Sequence, residues 1–202
     1  MNIELFALAV VVALVLIGGV PLFYEWLFKF SDRTANDVFP FLMKIDMEAI
    51  YGTFHPDPEK QFRETLSEAG FKEIQVKRFH LAIHYCNQLL NNAQVLLTWT
   101  KHERKQDWIA TSPAAIQNTV QDLRVSCLQF LVAVFFIRTR LRWWIFRMAL
   151  LPFAEPPSFK SLLAAGSWDM ISLYERIQQL AELFSLYFGD EYHDKLTDAL
   201  HY

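Results

Sequence analysis

The sequence predicts a mainly α-helical protein: one N-terminal transmembrane helix followed by a helical bundle built on a long antiparallel helix hairpin. Three observations carry this. Residues 5–23 contain no charged side chain. Apolar residues then recur at alternating steps of four and three from Ile116 through Val120, Leu123, Cys127, Phe130 and Val134, and on through Ile137, Leu141, Trp144, Met148 and Leu151. A shorter run, Val76, Phe79, Ile83, Cys86, Leu90, Ala93 and Leu97, has the same spacing. A seam of this kind lies along one side of a helix, as in a coiled coil, and requires another helix against it.

Composition agrees with a membrane setting. Hydrophobic residues make up 53% of the 202 residues and aromatics 15%, with 18 Phe and 6 Trp. That excess favours contact with lipid, with other proteins, or with both. The formal charge of −3, together with the lack of a recognisable binding motif, argues against nucleic acid as a partner. Two cysteines are too few to staple a scaffold.

The chain divides into a membrane anchor with an interfacial segment, residues 1–30, and a helical domain, residues 31–202. Nineteen residues of helix, 5–23, would span about 28 Å, close to the ~30 Å hydrocarbon core. Tyr24 and Trp26 follow, where interfacial aromatics belong. A cleaved signal peptide fits less well, because a basic leader and a small-residue cleavage site are both missing. Glu4 precedes the segment and Lys29, Arg33 and Lys44 follow it. The positive-inside rule then puts the N-terminus outside and the domain on the cytoplasmic or matrix side of a cell (inner) or organellar inner membrane.

Asn36 or Asp37 is the expected cap of a helix carrying Phe41, Leu42, Ile45, Ala49 and Ile50 and ending near Gly52. Asp57-Pro58 starts the next helix, and Gly70 is placed to end it. Residues 71–111 read in two ways. Phe79, Leu81, Ile83 and Tyr85 alternate as in a strand, which allows an α+β alternative with strands between Phe71 and Thr111. The Val76–Leu97 seam covers more residues and favours a helix. Folding that helix back on the next, with Leu97 opposite Ile116, would set Cys86 beside Cys127. Polar residues 102–111 form the connector, and Ser112-Pro113 opens the long helix. Pro152 stops it. A short helix over 158–165, closed by Gly166, leads to one capped by Ser167 with a seam of Met170, Leu173, Ile177, Leu180, Phe184 and Tyr187, widened by Tyr174 and Ala181. Gly189 then breaks the chain before a terminal helix, 190–200.

Signatures of chemistry are sparse. The six glycines form no phosphate-binding or dinucleotide pattern, no serine sits in a nucleophile elbow, and no His-Glu-x-x-His occurs. The weak metal candidates are His80 and His84, which would share a helix face with Cβ atoms about 6 Å apart. On a strand they would lie about 13 Å apart and could not chelate together. A further ligand, such as Glu64 or His55, would have to arrive by folding. The remaining candidates are contact residues: Tyr24, Trp26, and the cluster Arg138, Arg140, Arg142, Trp143, Trp144 and Arg147, suited to a membrane surface or an acidic partner.

The function expected from this pattern is non-enzymatic: an accessory or scaffold subunit of a larger membrane complex, without a cofactor, in contact with the bilayer and with other subunits. A metal- or haem-binding redox protein using His80 and His84 is one alternative. A peripheral lipid-binding module acting through the Arg138–Arg147 segment is the other.

Overall fold

Two helices of 36 and 37 residues dominate the protein. A computed structural model describes residues 38–55, 57–151, 155–164 and 169–201. The expected anchor, with Tyr24 and Trp26, lies outside the described residues. In chain order the helices are α1 (Met47–Phe54), α2 (Asp57–Thr65), α3 (Glu68–Glu103), α4 (Asp107–Thr111), α5 (Ala114–Leu150), α6 (Phe159–Ala164), α7 (Met170–Ser185) and α8 (Asp190–Leu200). The protein is mainly helical, and no strand occurs among the described residues. The α+β alternative for 71–111 is therefore corrected: that stretch is α3, α4 and their links.

The core is the space between α3, α5 and α7. The seam read for α5 turns inward: Val120, Leu123, Cys127, Phe130, Val134 and Leu141 are buried, while Ile137 and Trp144 are partly so. On α7 the stripe is rotated. Tyr174, Ile177, Ala181 and Phe184 are fully buried, whereas Tyr187 is exposed. The residues read as widening the seam are thus its centre, because α7 packs against α5 and α3 together.

Three contacts show how α3 and α5 lie together. Near the start of α3, Lys72 Nζ reaches the Leu151 carbonyl at 3.5 Å. Just past its end, Arg104 Nη1 reaches Gln121 Oε1 at 3.5 Å. Between them, the Arg138 guanidinium acts on the buried Cys86. These pairings differ from the expected one of Cys86 with Cys127, which lies eleven residues before Arg138. The cause is the connector: α4 occupies it, with Ile109 buried, so α5 begins beyond the end of α3. Both cysteines are free and buried. Cys86 lies 3.9 Å from Met170 Sδ on α7.

Several local expectations also shift. Residues 38–46 do not form a capped helix. A 3₁₀ turn at Phe39–Phe41 leads into extended chain, and α1 starts only at Met47, where Asp46 Oδ1 accepts the Ala49 amide at 2.9 Å. Two asparagines of α3 hold the extended stretch. Asn92 Oδ1 accepts the Met43 amide at 2.8 Å, and its Nδ2 donates to the Met43 carbonyl at 2.7 Å. Asn91 Nδ2 donates to the Phe41 carbonyl at 2.8 Å. Gly70 does not end α2; it lies in the first turn of α3, where its amide donates to the capping Ser67 hydroxyl at 3.3 Å. Asp169 caps α7 through Ile171 and Ser172, and Ser167 lies outside the described residues. Gly189, at φ +99°, makes the turn into α8, a conformation that other residues rarely adopt.

The two ends of the bundle are closed differently. At the connector end Trp99, Phe184, Phe188 and Tyr192 form an aromatic cluster with centroid separations of 4.7 to 5.9 Å from Trp99. At the other end Arg78 lies over the Phe159 ring at 4.6 Å and donates to the carbonyls of Thr53 and His55. Beside it the buried Glu59 accepts the Phe159 amide at 3.0 Å, at the N-terminus of α6. Burial holds the Arg78 guanidinium below its usual range, and Glu59 offsets part of that.

Candidate functional site

An α-helix turns about 100° per residue, so one run of sequence can carry two separate stripes. On α5 it does. The first half of the outward face presents Val125, Leu128, Val132 and Phe135, and the second presents Phe136, Trp143, Phe146 and Leu150. These eight fall within an arc of roughly 100°, opposite the buried seam. The contrast in exposure is large: Phe136 is 61% exposed, Trp143 59% and Leu150 62%, against 0% for Phe130 and 1% for Leu141. Rings pair along the face, Phe135 with Phe136 and Trp143 with Phe146, both at 5.9 Å. By length and composition α5 is long and apolar enough to cross a membrane, yet only 44% of its most apolar window is buried inside the protein. Its apolarity is shared between core and exterior.

The expected arginines border this face. By helical position Arg124, Arg138 and Arg142 run along one flank, Arg140 and Arg147 along the other. Arg140, Arg142 and Arg147 are exposed, and Arg138 is half-buried. Arg140 Nη1 donates to the Leu162 carbonyl at 3.0 Å, which ties α6 to α5. Arg147 covers the Trp144 ring at 4.7 Å, and Trp144 packs on the core. Trp143 points outward instead. The two neighbouring tryptophans therefore play different parts, the usual result for adjacent helix positions. Residues 123–154 contain five Arg and no Asp or Glu. Among the described residues none of these arginines forms an ion pair. Arg138 Nε is buried without a hydrogen-bond partner. Burial first, and Arg142 second, hold the Arg138 guanidinium below its usual range; burial and Arg104 do the same for Arg124.

His80 and His84 are both exposed on α3, on a helix as chelation would need. Among the described residues no group of three His, Cys, Asp or Glu side chains comes together to hold a metal. The backbone carbonyl of His55 accepts from Arg78. Burial pushes the Cys86 thiol up to about 12, and burial raises Cys127 as well, so both stay protonated and unreactive.

One histidine pairing was not legible in the residue pattern. Ser185 Oγ lies 2.8 Å from His193 Nδ1 and donates to the Glu182 carbonyl at 2.6 Å. Ser185 is buried, and the pair ties α8 to α7. Nearby, His201 Nε2 meets Glu182 Oε1 at 2.6 Å. No protein-family model, curated protein or solved structure matches the chain.

Proposed function

We propose that this chain is a membrane-anchored, non-enzymatic accessory or scaffold subunit of a larger membrane complex. In this reading residues 5–23 are a single-pass anchor, with the N-terminus outside and the helical domain on the cytoplasmic or matrix side. The spine of the domain is an antiparallel hairpin of α3 and α5, supported by the Lys72–Leu151 and Arg104–Gln121 hydrogen bonds at its two ends. The observation that carries the reading is the outward apolar stripe on α5. A largely apolar face of this kind, rimmed by charge, marks a surface that another body covers. The uncharged 5–23 segment supplies the membrane setting.

In this reading α5 stays beside the bilayer rather than crossing it. Its neighbour α3 carries an exposed Glu73–Lys77 ion pair at 2.7 Å, which would be costly in hydrocarbon. The test is extraction of the native chain in mild detergent, followed by size measurement and mass spectrometry of what travels with it. Defined partners in fixed ratio are expected. A chain that migrates alone in its micelle would overturn the subunit reading.

A further inference from the structure

We infer that the C-terminal half of the α5 face, from Phe136 to Leu150, docks on an anionic lipid surface, with the helix lying in the plane of the membrane. The inference rests on the anchor in the function proposed above and names what covers the stripe. The first argument is charge. The face is bordered by cations on both sides, and residues 123–154 offer no carboxylate to neutralise them. Arg138 and Arg142 lie close enough to repel, and Arg138 has an unpartnered buried Nε. Anions arriving from outside relieve that repulsion. A row of lipid phosphates supplies them along either flank, whereas a single protein groove would need acidic residues on both sides of it.

The second argument is shape. A narrow apolar arc with arginines at its edges lets the rings sink to the level of the acyl boundary while the guanidinium groups stay among headgroups. Trp143 and Phe146, paired and outward, are the side chains that favour that depth. The third is reach. The described chain begins at Val38, and residues 24–37 separate it from the uncharged segment, a tether of at most ~50 Å. The same bilayer is therefore always at hand, at a high effective concentration. The leaflet on the side inferred for the domain is also the anionic one.

The experiment uses the full chain in nanodiscs of phosphatidylcholine alone, or of phosphatidylcholine mixed with phosphatidylglycerol. Nitroxide labels are placed at Phe146→Cys and Leu150→Cys, with Leu183→Cys on the exposed side of α7 as the control. Collisions with oxygen report lipid, and collisions with a water-soluble nickel chelate report solvent. In anionic discs the two α5 labels are expected to shift from nickel to oxygen while the control stays in water. The triple variant R140Q/R142Q/R147Q, or high salt on the protein with its arginines intact, returns them to water. Labels that stay in water in anionic discs overturn the docking. So does equal shielding in both lipids that salt and the triple variant leave unchanged, because the anionic surface then plays no part. Labels shielded only in the detergent-extracted complex assign the face to a protein; lipid docking then fails while the subunit reading stands.

Discussion

The two faces of α5 both carry large apolar side chains and are opposite in circumstance. Inward, Phe130, Val134 and Leu141 are sealed by α3 and α7. Outward, Phe136, Phe146 and Leu150 meet no such layer among the described residues. Apolarity alone does not mark a core; what marks it is whether the partner stripe is supplied by the same chain. The comparison predicts its own largest effect. Phe130→Ala should cost about 3–5 kcal/mol, the transfer of a buried ring plus the cavity it leaves. Phe136→Ala, six residues on, should stay within ~0.5 kcal/mol. Denaturant unfolding of both variants in the same detergent checks the pair. An outward substitution as costly as the inward one would mean that the face belongs to the core after all.

The same contrast holds for polar side chains on α3. Asn92 is fully buried and meets the Met43 amide, the Met43 carbonyl and, at 3.0 Å, the Tyr174 hydroxyl. Asn92→Ala strands those groups and should cost about 2–3 kcal/mol, since buried donors and acceptors lose their partners. Its neighbour Asn91 makes one bond near the surface, to the Phe41 carbonyl, so Asn91→Ala should cost under ~1 kcal/mol. Hydrogen exchange at the Met43 amide sharpens the test: protection falls in the first variant and holds in the second.

Adjacent positions on α5 give a third contrast. Cys127 is buried with a raised thiol, and Leu128 next to it is exposed. A thiol reagent at mildly alkaline pH should spare Cys127 and Cys86 in the folded protein. It should modify Leu128→Cys at the rate of a free thiol. With Cys86 at about 12 instead of 9, its thiolate fraction alone is lowered roughly a thousandfold. Rapid native labelling of either natural cysteine would show that the core opens easily.

The helical character and the inward seam of α5 were legible because a 3.6-residue period survives any packing partner. The register was not. An alternating three-four pattern resembles itself when slid, and what chose the offset was α4, a five-residue helix inside a stretch that reads as a polar turn. Residues 38–46 misled for a different reason. Their apolar spacing suits a helix, but Asn92 and Asn91 hold them extended from 49 and 50 positions away. The same two asparagines are weak helix formers, and their part in α3 is to clamp another segment. At the candidate site the arginine and tryptophan cluster was visible in composition. The outward stripe was not, because it interleaves with the inward one in a single apolar run. Helical position sets Phe135 and Phe136 off the Phe130 seam, and burial shows that the side they occupy is left outward.

The smallest effect belongs to a surface contact. The Tyr51 hydroxyl donates to Glu175 Oε1, joining α1 to α7. That hydrogen bond, with burial and the Glu175 charge adding to it, pushes the phenol up to about 12 from 10.0. A folded-state pKa above the unfolded one means the folded chain holds its proton more tightly. The contribution is therefore complete below pH 10 and is lost as pH rises toward 12. Because Tyr51 is exposed, solvent screening keeps the effect under ~1 kcal/mol. Tyr51→Phe removes the titrating group, so its unfolding free energy should fall less steeply between pH 10 and 12 than that of the unmodified chain. Parallel slopes for the two proteins would mean that the contact between α1 and α7 does not persist in solution, and that the outer surface of this bundle is held by its core alone.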